Sequence, residues 1–203
     1  MRYLDDPAAL AGILIALLVG LTFHEFSHAY VADQLGDHRP RALGRVSLNP
    51  IDHIDPIGAI VFFIAGFGWA KPVPVNPYAL RIGRRGMAVV AAAGPIANVV
   101  TATAFAVVYR VLDIIGVGGF AADIVGNVVF FNIILAIFNL LPIPPLDGYN
   151  VVLPFLPPRT AMQVQQYAPY GIILLLVLVI IPGGPLSVLL NVASPVTRFL
   201  IGA

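Results

Sequence analysis

Residues 7–32 read PAALAGILIALLVGLTFHEFSHAYVA, an apolar run that is long enough to cross a bilayer, which takes about 20 helical residues. Near its end lies the motif HEFSH at residues 24–28, whose Glu25 is the one glutamate of the chain. On a helix, His24 and His28 stand one turn apart on the same face and can share a metal ion, while Glu25 can take a proton from a metal-bound water. We therefore expect a metal-dependent hydrolytic site within the membrane.

The composition is typical of a membrane protein. Of the 203 residues, 59% are hydrophobic and 10% are charged, and the mean hydropathy is +0.93, so the chain lacks the polar residues to cover a water-exposed surface. There is no cysteine, and a metal must therefore be held by histidine, aspartate or glutamate. A net charge of +1 without a basic block argues against a nucleic-acid partner. We expect one integral-membrane domain over residues 1–203, whose first span is not a cleaved signal peptide.

Hydropathy predicts an all-α polytopic membrane protein. Three segments are long enough to form transmembrane helices: 7–32, 87–112 and 124–141. We expect them to form a catalytic core within residues 7–150. Two shorter apolar segments, 169–181 and 186–201, lie within a C-terminal region, 165–201, and a break at Pro182–Pro185 separates them. They are predicted to be tilted spans or a hairpin that does not fully cross.

Ile57–Trp69 is apolar but too short to span, and it contains three glycines, so its length is typical of a re-entrant segment. The charges provide an independent test. If the segment dips in and returns, one side of the membrane carries Arg39, Arg41, Arg45, Lys71, Arg81, Arg84, Arg85 and Arg159, with Arg2 and Arg110 opposite. Such asymmetry favours re-entry by the positive-inside rule. It predicts that the N-terminus is outside and that the active site lies toward the cytoplasmic side of the cell membrane.

The re-entrant segment is flanked by two similar extended stretches, RVSLNP at 45–50 and PVPVNP at 72–77. Both end in an Asn-Pro turn signal. They are either loops that return the chain to the surface or a small β-hairpin-like sheet in the membrane, whose free edge could hold an unwound peptide by strand addition.

A catalytic zinc site usually has three protein ligands and a water, so the two histidines need a partner. No second glutamate exists, and Asp147 is the best candidate because it follows the uncharged third span in NLLPIPPLDG at 139–148. By the predicted topology it lies near the cytoplasmic face, at a depth similar to that of His28. A carboxylate there is costly unless it is paired, metal-bound or at the wet interface.

Together these motifs closely resemble the site-2 protease family of zinc intramembrane metalloproteases. The resemblance rests on HEFSHAY at 24–30, AGPIAN at 93–98, GWAKPVPVNP at 68–77 and NLLPIPPLDG at 139–148, and covers roughly residues 20 to 150. It implies that one Zn²⁺ per chain is bound by His24, His28 and Asp147, with Glu25 as the catalytic base. It also implies that Asn139, Pro142 and Pro144 shape the site or contact the substrate, and that Asn98 supports the site in a less defined role. We expect no PDZ or CBS domain of the kind that some members carry.

The expected partners are the lipid bilayer and a membrane-protein substrate with a transmembrane segment, and a homo-oligomer stays open. The alternative function is a membrane metal-ion transporter that uses the same His/Asp site. It is the weaker hypothesis because the ligands cluster toward one face and a transporter needs no general base. Gly94, Pro95 and Asn98 could serve helix packing instead of catalysis, and Asn139 could likewise hydrogen-bond between helices. His38 and His53 are expected to face solvent.

Overall fold

The computed structural model describes residues 6–65, 68–181 and 184–202, and within these ranges the chain is helical, without a strand. The helices are, in chain order, α1 (Pro7–Gln34), α2 (Arg39–Ala42), α3 (Pro56–Ala65), α4 (Arg84–Ile114), α5 (Phe120–Asn139), α6 (Asp147–Val152), α7 (Pro158–Tyr167), α8 (Gly171–Ile180) and α9 (Pro185–Ile201). The expectation of an all-α chain is thereby confirmed for the described residues.

Four helical stretches are long and apolar enough to span a membrane: Pro7–Gln34, Arg84–Ile114, Phe120–Asn139 and Pro158–Leu178. The first three correspond to the long segments predicted from hydropathy. The fourth is longer than predicted, because the glutamine-rich stretch of α7 continues into the apolar α8. Pro169 does not separate them, since it lies in a 3₁₀ turn, Ala168–Tyr170, where a residue without an N–H is tolerated.

Helix α1 starts at a well-formed N-cap and changes its winding just before the HEFSH motif. Asp6 accepts hydrogen bonds from the backbone N–H groups of Ala8 and Ala9, at 2.9 and 3.3 Å. The turn Ala16–Leu21 is π-helical, a local winding that often occurs at functional sites. Gly20 lies in this turn and lets α5 approach closely, because a Cβ there would come under 3 Å from the side chain of Asn132.

The centre of the bundle is packed with small residues from three helices. Ala102 and Ala106 of α4, Val129 and Ile133 of α5 and Ala193 of α9 form one buried cluster. At the far end of α4, Arg110 donates hydrogen bonds to the carbonyls of Phe199 and Leu200, at 3.0 and 2.7 Å. Helices α4 and α9 therefore run in the same direction, and their C-terminal ends lie close together.

The two ends of the segment between α1 and α4 meet. Ile54 and Ala70 form an isolated antiparallel bridge, and Lys71 N–H donates to the His53 carbonyl at 2.8 Å. Arg45 is only 3% exposed, and its guanidinium donates hydrogen bonds to the carbonyls of Asp52 and Lys71. It therefore connects the two ends of this segment. Stretches 45–50 and 72–77 form no sheet with each other. Of the two predicted alternatives, loops or a small β-hairpin-like sheet, they are loops. Of the predicted re-entrant piece, Gly66 and Phe67 lie outside the described residues, as do Arg2 and the Pro182-Gly183 half of the predicted break.

The two loop histidines differ in exposure. The side chain of His38 is 70% exposed, as expected, and Nδ1 of its ring lies 2.9 Å from Oδ1 of Asp33. The expectation for His53 is wrong, since that residue is 0% exposed. The loop folds back through the 3₁₀ turn Pro50–Asp52 and encloses the ring, whose Nε2 lies 2.7 Å from the carbonyl oxygen of Ser47.

Candidate metal centre

Three predicted ligands converge on one point. Nε2 of His24 and Nε2 of His28 are 3.0 Å apart. Oδ2 of Asp147 lies 3.0 Å from Nε2 of His24, and Oδ1 of the same carboxylate lies 3.2 Å from Nε2 of His28. No other group of three or more His, Asp or Glu side chains in the described part of the chain has this spacing. The structure thus brings together residues that are more than a hundred positions apart in the sequence.

Asp147 reaches the histidines because of how the chain turns after α5. A proline-rich turn over residues 140–146 separates the end of α5 from the first residue of α6, which is Asp147 itself. Gly148 lets this turn close tightly, because a Cβ there would lie within 3 Å of the backbone of Leu140 and Leu141. The carboxylate is therefore held at the end of the bundle where the HEFSH motif ends.

Hydrogen bonds orient both imidazole rings. Nδ1 of His24 lies 2.6 Å from Oδ1 of Asn98, and Nδ1 of His28 lies 2.7 Å from the carbonyl oxygen of Val90. Because both partners are acceptors, each Nδ1 carries the ring hydrogen and each Nε2 presents a lone pair to the centre. In metal-ligating histidines, the ring nitrogen that does not bind the metal usually donates its N–H to an oxygen acceptor such as a carbonyl.

The donor set fits a zinc ion. Two Nε2 lone pairs and a carboxylate face one another at 3.0–3.2 Å, an arrangement that is repulsive without a cation between them. Among the residues that the structure describes, none donates a hydrogen bond to the buried Oδ2 of Asp147. Zinc–ligand bonds of about 2.0–2.1 Å in a tetrahedron separate the ligand atoms by about 3.3 Å, which the observed separations approach. A tetrahedral zinc ion held by these three residues would have one position left for water or substrate.

Gly94 of α4 provides the space for the two rings. A Cβ at this position would lie 2.6 Å from Cε1 of both His24 and His28, and closer still to Nε2 of His28. Only glycine allows α4 to pass so close to the imidazoles. Of the roles considered for Gly94 and Pro95, close approach at the candidate metal centre is the one that the structure supports for Gly94.

Glu25 is 8% exposed and lies on the same helical turn as the histidines. Its carboxylate is near enough to His28 and to Arg45 to interact with both electrostatically. Burial lowers the pKa of the Arg45 guanidinium, an effect that the negative charges of Glu25 and Asp52 oppose. The single glutamate is thus within electrostatic range of a metal ligand and of a buried cation.

The other predicted site residues lie at the end of α5 and in the turn that precedes Asp147. The amide of Asn139 donates to the Leu135 carbonyl of its own helix at 3.0 Å. Pro142 lies in the turn before Asp147, and Pro144, in the same turn, packs against Gly171 at the start of α8. The sequence reasoning missed Asn132, which is 0% exposed and accepts a hydrogen bond from Asn98 at 3.1 Å. An asparagine in the middle of an uncharged span is a signal that could have found it.

Comparison with known proteins gives relatives that carry one description. The chain is 40% identical to the "Putative zinc metalloprotease YwhC" of Bacillus subtilis over 190 residues, which cover 90% of this chain and 87% of the relative. Rip2 of Mycobacterium tuberculosis, with the same description, is 33% identical over 87% of this chain and 71% of its own length. MJ0611 of Methanocaldococcus jannaschii is 32% identical over 68% of both chains. No family model and no solved structure gives a significant match.

Proposed function

The chain belongs to the site-2 protease family of zinc metalloproteases, and on this basis we propose that it hydrolyses peptide bonds in or near the transmembrane segments of membrane proteins. The observation that carries the proposal is the His24–His28–Asp147 centre, built on helices long enough to span a membrane. A metal centre with a glutamate beside it is a hydrolytic arrangement. Its position within the bundle makes membrane-embedded peptide the natural substrate.

One zinc ion per chain would be held by Nε2 of His24, Nε2 of His28 and the carboxylate of Asp147. When bound, zinc supplies a Lewis acid that polarises the scissile carbonyl and lowers the pKa of a water toward about 7. The donor set supports this assignment, because the two ring hydrogens are on Nδ1 and leave both Nε2 atoms free.

Glu25 is the proposed general base. Its carboxylate accepts a proton from the attacking water as the C–O bond forms at the scissile carbonyl carbon, and in a second step it donates that proton to the amide nitrogen as the C–N bond breaks. Arg45 is a buried positive charge near this carboxylate. Because peptide N–H and C=O groups in a membrane helix are hydrogen-bonded, the substrate must unwind locally at the cut site. Helix-weakening residues are therefore expected in the substrate there.

Three further residues have proposed roles at the edge of the site. Asn139, Pro142 and Pro144 shape the turn that carries Asp147 or contact the substrate. The turn supports a shaping role for the prolines, since Pro144 packs against the start of α8. Asn98 has a proposed supporting role through its hydrogen bond to His24.

We propose a multi-pass orientation in the cell membrane with the metal centre toward the cytoplasm, and a single domain over residues 1–203. The charge asymmetry supports it. The meeting of Ile54 with Ala70 supports re-entry of the intervening segment, because a chain that returns to its starting point has not crossed. Likewise, α9 ends beside Arg110, which supports three core spans followed by an α7–α8 stretch that returns to the cytoplasmic side before α9.

We propose that an unwound substrate binds beside residues 71–76. A cavity of about 250 Å³ is bounded by Leu43, Arg45, Lys71, Pro72 and Pro74, and residues 71–76 have no regular secondary structure. The bound peptide runs along this segment toward Glu25. Replacing residues 72–77 with a flexible linker should then abolish cleavage and leave the zinc content intact, and unchanged cleavage would refute this part of the proposal.

The proposed function is tested by quantitative proteomics of membrane fractions from cells that carry the wild type or Glu25→Gln. Fragments cut in or near a transmembrane segment should appear with the wild type alone, although both proteins bind equal zinc. A transporter with the same ligands would instead move metal and release no fragments. Identical fragment sets in the two cell lines would refute the proposed function.

A further inference from the structure

Asn132 is a buried amide in the middle of α5. Its side chain is 0% exposed and makes two hydrogen bonds: Nδ2 donates to the Val128 carbonyl at 2.9 Å, and Oδ1 accepts from Nδ2 of Asn98 at 3.1 Å. A buried amide within an apolar helix is costly unless it is hydrogen-bonded. The partner of Asn132 is Asn98, which is itself hydrogen-bonded to the predicted metal ligand His24. We propose that Asn132 is a positioning residue that fixes the amide of Asn98 and thereby the ring of His24, an inference that rests on the proposed zinc-dependent function.

The orientation of the Asn98 amide decides which nitrogen of His24 is free. With Oδ1 toward the ring, Nδ1 carries the hydrogen and Nε2 can bind a metal. If the amide turned over, its NH₂ would donate to Nδ1, and the ring hydrogen would have to move to Nε2, where it blocks coordination. A rotation of one amide would thus change His24 from a metal ligand into a non-ligand.

Two acceptors hold the Asn98 amide in the productive orientation. Its Nδ2 donates to the Gly20 carbonyl at 3.3 Å and to Oδ1 of Asn132 at 3.1 Å. The bond to Asn132 is the shorter, and Asn132 is itself oriented by its bond to the Val128 carbonyl. The series Val128, Asn132, Asn98 and His24 therefore runs in one direction, each amide accepting at its oxygen on one side and donating from its nitrogen on the other.

The contact depends on the glycine in the π-helical turn of α1. A Cβ on Gly20 would come under 3 Å from Oδ1 of Asn132. Glycine at this position therefore lets α1 and α5 pack closely, so that the amide of Asn132 on α5 can reach the amide of Asn98 on α4. Asn127 provides a natural comparison on the same helix. It packs against Gly12 of α1 and donates to the Asp123 carbonyl at 2.8 Å, but it lies farther from the metal centre.

The test measures zinc affinity of the purified full-length protein in detergent, by competition with a chromophoric chelator. Replacing a partner that orients a metal-bound histidine typically costs about 10–100-fold in metal affinity, and we expect about 10-fold for Asn132→Leu. The matched control, Asn127→Leu, should stay within about twofold of the wild type. Visible spectra of the cobalt-substituted proteins should change for Asn132→Leu and not for Asn127→Leu, because they report the ligand geometry.

A double-mutant cycle separates positioning from general packing. If Asn132 acts through Asn98, the double variant Asn98→Leu/Asn132→Leu loses no more zinc affinity than Asn98→Leu alone. Wild-type affinity in Asn132→Leu, or additive losses in the double variant, would overturn the proposal. Should Asn132→Leu fail to fold, the smaller Asn132→Ala carries the same expectations. A wild type that binds no zinc would refute the proposed function itself, which is a different outcome from an unchanged Asn132 variant.

Discussion

Replacing Gly94 with alanine should remove zinc from a protein that still folds. The added Cβ would lie 2.6 Å from Cε1 of His24 and of His28, whereas ordinary carbon contacts begin near 3.4 Å. The rings or the helix must therefore move apart by roughly 0.8 Å. Metal sites tolerate ligand displacements of only about 0.2 Å, so the three ligand atoms can no longer share one ion.

The effect on stability should be small by comparison. Alanine in a helix interior is about 1 kcal/mol more favourable than glycine, and overpacking a tight contact costs about 1–3 kcal/mol. The two contributions together destabilise the fold by about 0–2 kcal/mol, so the apo-protein should still fold and should melt within several degrees of the wild type. Proteolytic activity should fall by about 100-fold or more, since a displacement of about 1 Å near a reacting centre costs that much.

The assay compares the zinc content of the purified variant, by atomic emission, with its thermal midpoint after chelation. Gly126→Ala of α5 is the matched control, because the nearest atom to its Cβ would be Cε2 of Tyr109 at an ordinary 3.4 Å, and it should keep full zinc. Stoichiometric zinc with wild-type affinity in Gly94→Ala would show that the imidazoles do not need a glycine at this position.

Two more predictions concern the third ligand and the loop beside the site. Asp147→Ala should lose zinc at concentrations that saturate the wild type, because two histidines cannot complete the site, and retained zinc would exclude Asp147 as a ligand. Asp37, 1% exposed, has its pKa held at about 2 by its hydrogen bonds with Arg39 and with the N–H of Asn76. The folded pKa is below the unfolded value of about 3.9, so this stabilisation is present above pH 4 and lost as pH falls toward 2. Asp37→Asn should cost about 2 kcal/mol at pH 7, and melting curves of the two proteins should converge in acid, while a pH-independent difference would contradict the assignment.

The local features of this chain were predictable from the sequence. Long apolar runs gave the spanning helices, because hydrophobic length alone decides whether a helix can cross. His24 and His28 lie on one helical turn, so their shared face follows from the helical period. Asp147 was a reasonable third ligand because no other carboxylate follows an uncharged span so closely.

The features that were missed depend on contacts between distant segments. Asn132 meets Asn98 only because Gly20 and Gly94 let the first, second and third spans approach closely, and no local pattern encodes that approach. His53 is enclosed by a loop closure that Arg45 stabilises through two backbone carbonyls. The continuation of α7 into α8 depends on a 3₁₀ turn that tolerates Pro169. In each case the outcome is set by packing geometry and not by the type of residue.

Zinc-dependent cleavage of membrane-spanning segments, with Glu25 as the base, is tested most directly in proteoliposomes. These contain the wild type or Glu25→Gln together with a panel of single-span proteins whose helices carry Gly or Pro. The products are mapped by mass spectrometry. The wild type should cut in or near the span, stop when zinc is chelated and resume when zinc is restored. Glu25→Gln should hold the same zinc and cleave at least about 100-fold more slowly, since a general base contributes about 10²–10⁴. Cleavage by Glu25→Gln at the wild-type rate, or zinc uptake into the vesicles by a wild type that cuts nothing, would contradict it.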